Sequence, residues 1–106
     1  MHSVLETPFF SRRADALLSR EDRDRLVSAL AADPLAGEPI PGMGGIRKLR
    51  FAPEGRGKSG GFRVVYWLGP DTLPVLALLL YGKNEQSDVS PAQRKAILAL
   101  VKELTR

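Results

Sequence analysis

The run from Leu73 to Tyr81 is apolar almost throughout, which limits what the chain can fold into. A strand with one wet face alternates apolar and polar residues, and this one does not, so it needs cover on both faces. It is also far short of the roughly 20 residues that a membrane-spanning helix requires. The chain is therefore expected to build a sheet with this strand inside it and helices packed on the sheet, an α+β arrangement.

The flanking signals supply the other parts. Ser3 to Glu6 can form a short first strand. Thr7-Pro8 is a helix start, with threonine as N-cap and proline in the first turn, and Phe10, Ala14, Leu17 and Leu18 follow at helical spacing. A second helix is expected from Ser19, with Glu21 and Asp22 in its first turn, and it must end by Asp33 because Pro34 follows. Residues 34–45 are a Pro- and Gly-rich connection. Ile46 to Phe51 and Gly61 to Leu68 are expected strands, joined by a glycine-rich segment, and Gly69-Pro70-Asp71 turns the chain into the apolar strand. Gly82 to Asp88 is a polar exit loop. Ser90-Pro91-Ala92-Gln93 has the form of a capping box, and Ile97, Leu100, Val101 and Leu104 continue it as a helix. The expected whole is one domain over residues 1–106, a small antiparallel sheet with N-terminal helices on one face and a C-terminal helix. Phe9, Phe10, Phe51, Phe62 and Trp67 are expected in its core.

Charge is localised. The net formal charge is +4, yet Arg47, Lys48, Arg50, Arg56, Lys58 and Arg63 face only Glu54 within their stretch, which carries +5 against −1 for the rest of the chain. Side chains alternate along a strand. Lys48 and Arg50 therefore share one face and Leu49 and Phe51 the other. Phe62, Val64, Tyr66 and Leu68 form an apolar set, with Arg63, Val65 and Trp67 opposite. If the two strands pair as a hairpin, Lys48, Arg50 and Arg63 meet on one face, where the C-terminal helix can cover Val65 and Trp67. Adjacent cations repel, so the cluster calls for an anion such as a phosphate backbone.

Other chemistries lack their residues. There is no cysteine, and the single histidine, His2, sits at an end expected to fray, so neither a thiol nucleophile nor a histidine acid–base pair is available. The carboxylates show no metal-cage spacing, and no cofactor is implied. Gly55-Arg56-Gly57-Lys58-Ser59-Gly60 matches a dinucleotide-type glycine pattern, but a strand and not a helix follows, and the upstream glycine of a P-loop is replaced by Ala52. Any catalysis must rest on Lys, Arg and Tyr. The first residues have no basic segment leading into an apolar one, so no signal peptide is expected and the expected address is the cytoplasm.

Three stretches together resemble the RelE/HigB superfamily of bacterial toxins: Gly45-Ile46-Arg47-Lys48-Leu49-Arg50-Phe51, Lys58-Ser59-Gly60-Gly61-Phe62-Arg63-Val64-Val65-Tyr66, and Leu80-Tyr81-Gly82-Lys83-Asn84-Glu85-Gln86-Ser87-Asp88. The last, continued through Leu98, is similar to the HigB-type branch. The resemblance implies ribosome-dependent, metal-free cleavage of messenger RNA by attack of the 2′-hydroxyl on the adjacent phosphate. It also implies a HigA-like helix-turn-helix antitoxin as partner, through which DNA is met only indirectly, and no membrane. Carried over by position, it implies Lys48, Arg50, Arg63 and Lys83 as catalytic residues and Arg47, Arg56, Lys58, Tyr81 and Asn84 as RNA-binding ones. Asn84 stands where RelE-type members carry a catalytic arginine, and Ser90 where they carry a tyrosine, so roles do not transfer one for one. A toxin-like protein that grips RNA or ribosome without cutting is the alternative.

Overall fold

A computed structural model describes residues 2–53 and 61–106. Strand β1 (Val4–Glu6) leads into helices α1 (Pro8–Leu17) and α2 (Arg20–Ala32); strands β2 (Glu38–Pro39), β3 (Ile46–Phe51), β4 (Phe62–Trp67) and β5 (Val75–Gly82) follow, and helix α3 (Pro91–Leu104) ends the chain. The strands form one sheet in the order β1-β5-β4-β3-β2.

The α+β class is as the sequence predicts, with one difference in the sheet. The β2–β3, β3–β4 and β4–β5 pairs are antiparallel, while β1 pairs with β5 in parallel. Consecutive strands on short connections turn back on each other, but β1 is separated from β5 by most of the chain and is free of hairpin geometry. Its direction is fixed by bonds at both ends, Val75 N–H donating to Ser3 O and Thr7 N–H to Ala77 O. The backbone N–H of His2 donates to Ala31 O at 2.8 Å, so the end expected to fray is tied to α2.

All three helix starts follow the sequence signals. Thr7 caps α1, Ser19 caps α2, and Ser90 with Gln93 closes the full capping box of α3. Thr7 is buried, and its hydroxyl also donates to Ala77 O, fastening the start of α1 to β5.

Two cores lie on opposite sides of the sheet. Phe10 and Ala14 of α1 and Leu26 and Leu30 of α2 pack on Val64, Tyr66, Val75, Ala77 and Leu80, with Leu49, Phe51, Phe62 and Leu68 at the margin. On the other side Ile97, Leu100 and Val101 of α3 pack with Val65, Trp67, Leu76, Leu78, Leu79 and Tyr81. Strand β5 is thus covered on both faces, as its composition demands. Phe9, an expected core residue, is 39% exposed, one position off the buried stripe of α1, with the Arg12 guanidinium 5.6 Å from its ring centroid.

Strand β5 carries a bulge. Val65 pairs with Leu79 but Tyr66 pairs with Ala77, leaving Leu78 as an extra residue. Leu78 and Leu79 consequently face the same core, and every side chain beyond them is turned over relative to strict alternation. Gly61, with φ +56°, precedes β4, and an added Cβ there would lie 2.8 Å from Phe51 O, so this turn into the strand needs glycine.

Two side-chain anchors hold the helical layer and the connection after it. Tyr66 hydroxyl donates to Pro34 O at 2.7 Å and accepts from Gly37 N–H at 2.8 Å, pinning the start of the 34–45 connection to β4. Removing that hydroxyl strands a buried donor and a carbonyl. Tyr66→Phe is expected to cost about 1–3 kcal/mol in urea unfolding. Glu6, at the end of β1, accepts from Ser11 of α1 and pairs with Arg23 of α2, which also pairs with Asp15. The Arg23 guanidinium holds the Glu6 carboxyl below its ordinary value, against the opposing effect of burial. A depressed carboxylate adds stability above its unfolded pKa and loses it as pH falls through the folded value. Glu6→Gln is therefore expected to be less stable than the parent at neutral pH, with the gap in melting temperature closing on acidification below about pH 4.

Candidate nucleic-acid interface

The cationic patch is built by register. Strand β3 pairs with β4 so that Arg50 lies directly opposite Arg63, and Arg63 in turn lies opposite Tyr81 on β5. Directly opposed side chains share a face, so Arg50, Arg63 and Tyr81 form one row across three strands. The next row inward is Lys48, Val65 and Leu79. Val65 and Leu79 belong to the core beneath α3, as does Tyr81, so this is the α3 face, and of the outer row it is the arginine end that reaches solvent. Arg50 is exposed, and Lys48 and Arg63 are half-buried.

The expected meeting of Lys48, Arg50 and Arg63 is thus what the register produces. Among the described residues neither Arg50 nor Arg63 has a carboxylate within ion-pair distance. Like charges directly opposite in a sheet destabilise it. An anion seated between the two would relieve that repulsion.

Tyr81 adds a polar atom to the patch. The residue is 1% exposed, and its hydroxyl has no hydrogen-bond partner among the described residues. Burial pushes its pKa up, the Asp88 charge pushes the same way, and Arg63 opposes them. The phenol therefore stays protonated near neutrality, and, sealed from solvent, it does not offer RNA the direct contact expected of it. Its presence on this face depends on the bulge: strict alternation would send it to the α1–α2 side with Val75 and Ala77.

Lys48 has a carboxylate beside it. Here Asp88 of the loop before α3 lies against it, with Nζ 3.3 Å from Oδ1. Asp88 was not among the residues that the sequence singles out. The Val89 N–H, bonded at 2.7 Å, holds its carboxyl below the usual range; burial opposes this and Lys48 adds to it. The carboxylate is therefore ionised at neutral pH.

The remaining predicted residues are dispersed. Lys83 and Asn84 are exposed in the turn after β5, at the end of the sheet where Phe62 pairs with Gly82 and Lys83 N–H donates to Gly61 O. Arg47 lies on the opposite face and its guanidinium is bonded to backbone carbonyls, 2.7 Å from Gly37 O and 3.4 Å from Leu35 O. The structure does not bring it to the patch. Arg56 and Lys58 fall outside the described residues, as does the glycine motif that contains them. Ser90 is the cap of α3, its hydroxyl accepting from Gln93 N–H at 3.1 Å. Among the described residues no cluster of three or more His, Cys, Asp or Glu side chains is placed to hold a metal ion, and no helix is long and apolar enough to cross a membrane.

No family model matches the sequence. Among solved structures, the fold is similar to that of the E. coli toxin RelE, an arginine-to-alanine double mutant in the free state. The TM-score is 0.58 over 81% of this chain and 87% of that chain, at 15% sequence identity. The chain thus has a RelE-like α+β fold, a likeness of architecture at an identity too low to carry residue roles.

Proposed function

We propose that this chain is the toxin of a toxin–antitoxin pair, a single-domain, HigB-like endoribonuclease that cleaves messenger RNA on the ribosome. The observation that carries the reading is the Arg50–Arg63 pair, two cations opposed across strands without a carboxylate partner among the described residues, beside the buried Tyr81 hydroxyl. The RelE-like fold supports it.

The chemistry is metal-free transesterification. The 2′-hydroxyl gives up its proton to a base, its oxygen attacks the adjacent phosphorus, the bond to the 5′-oxygen breaks and that oxygen takes up a proton, leaving a 2′,3′-cyclic phosphate and a 5′-hydroxyl. Charge grows on the phosphate oxygens in the transition state, and preplaced cations lower that barrier. Arg63 and Lys48 hold the phosphate, with Arg50 and Lys83 assisting. Tyr81, buried behind the patch and kept protonated, can donate to the phosphate or the departing 5′-oxygen only once binding uncovers its hydroxyl. Asn84 binds RNA at the exposed turn, and Arg56 and Lys58 add charge to the backbone contact. The partners are messenger RNA on the ribosome and a HigA-like helix-turn-helix antitoxin that carries the DNA contact, and the setting is the cytoplasm.

Arg63→Ala is expected to abolish growth arrest on expression while leaving the circular dichroism spectrum and melting temperature unchanged or slightly raised, since a repulsion is removed. Primer extension on cellular messages is expected to show new 5′ ends with the parent chain and none with the variant. Arrest without new ends would identify a toxin that grips its target without cutting. Binding to single-stranded RNA should also weaken with salt, and each arginine removed should lower the slope of log K against log salt by about 0.7.

A further inference from the structure

Asp88 has a place in the site that neither charge nor spacing reveals. It lies in the loop between β5 and α3, yet its carboxylate meets Lys48 of β3, although β4 lies between β5 and β3 in the sheet. The loop is braced for this. Gln86 Nε2 donates to Asp88 O at 2.7 Å and to Gln93 Oε1 at 2.7 Å, and Gln93 Oε1 accepts the Ser90 N–H at 3.0 Å within the capping box of α3. Asp88 is thereby fixed to the start of a helix that itself packs on the sheet. On the patch it meets Lys48 directly, and its charge reaches Tyr81, whose hydroxyl also feels Arg63. Arg94, in the first turn of α3, is the further cation whose charge reaches it.

The geometry points to Asp88 as a positioning residue of the ribonuclease site: its carboxylate holds the Lys48 ammonium on the open sheet face and yields it to one RNA phosphate on binding. The inference rests on the proposed function for its turnover arm and on geometry alone for its binding arm. An ion pair half open to water contributes little to stability, so its exchange for a phosphate contact is energetically feasible. The arrangement has two consequences of opposite sign. Asp88 weakens RNA binding, because one internal pair must be broken for each phosphate seated. It speeds turnover, because a lysine on four flexible bonds reaches the phosphate from a fixed starting position.

The informative variant is Asp88→Asn. Asparagine retains an oxygen to accept the Val89 N–H and removes only the charge. Binding is read with a single-stranded oligodeoxynucleotide, which lacks the attacking 2′-hydroxyl, across a salt series. Turnover is read as single-turnover cleavage of a defined message on programmed ribosomes. The variant should bind more tightly at low salt, with a slope of log K against log salt steeper by about 0.7, and should cleave about two- to fivefold more slowly. In a Lys48→Met background the same change should leave both the slope and the rate where Lys48→Met alone put them, and Asp88→Glu should restore the rate of the parent. A variant that binds and cleaves better would make Asp88 a mere repulsive charge and overturn the proposal. So would an unchanged salt slope, or an effect that persists without Lys48. If the parent chain cuts no message, the ribonuclease reading fails, while the salt slope still decides whether Asp88 and RNA compete for Lys48.

Discussion

One extra residue in β5 decides what the far end of the sheet presents. Leu78 and Leu79 both point into the core under α3, and from there on the strand is out of step with simple alternation. Without that step Tyr81 would be buried against α1 and α2, and Leu80 would take its place beside Arg63. With it, a phenol stands in the row of Arg50 and Arg63. The cost is a local break in the ladder between β4 and β5, two strands otherwise paired along their length. A bulge that re-aims one side chain toward a charged cluster is how a rigid sheet places a functional group without distorting its neighbours.

The patch also runs against the stability of the fold. Opposed arginines repel, and a buried hydroxyl without a partner among the described residues gives up hydrogen bonding to water, a loss of about 1–3 kcal/mol. Elsewhere the same chain satisfies such groups with care. Tyr66 hydroxyl has two partners, Thr7 hydroxyl is bonded within the sheet, and Arg23 bridges two carboxylates. Local conflict confined to one corner of an otherwise consistent structure is what the proposed binding role of the patch would produce. Among the described residues Lys48, unlike the two arginines, does have a carboxylate, and that partner comes from the loop that leads into α3.

Much of the fold is legible in the sequence. The caps at Thr7, Ser19 and Ser90 are local chemistry and define the helix starts; Pro34 and the glycines bound the strands. Period-two alternation in β3 and β4 correctly divides Leu49, Phe51, Val64 and Tyr66 from Lys48, Arg50 and Arg63. The hidden features depend on contacts between distant segments. Strand β2, two residues long, exists only because Glu38 and Pro39 lie beside Lys48 and Arg47. The parallel pairing of β1 is set by α1 folding back on β5. The bulge is invisible in a strand that is apolar on both faces, because either register buries leucine equally well. Asp88 is a single acid in a polar loop and gives no periodic signal; its meaning arises only when the loop is carried to β3.

Helix α3 is tied firmly at its start and loosely at its end. The capping box, Gln86 and the Asp88 loop form a continuous set of bonds from the helix to the patch. Beyond Val101 the helix has Leu104 45% exposed and ends in an exposed ion pair between Glu103 and Arg106. An exposed pair at three-residue spacing adds only about 0.2–0.5 kcal/mol, so the last turn holds little of the fold. The hydrogen bonds that join α3 to the Asp88 loop thus lie at its start, while Ile97, Leu100 and Val101 pack its middle on the sheet. If the patch seats a phosphate as proposed, its loop needs anchoring to hydrogen-bond precision, and the bonds to the start of α3 supply it.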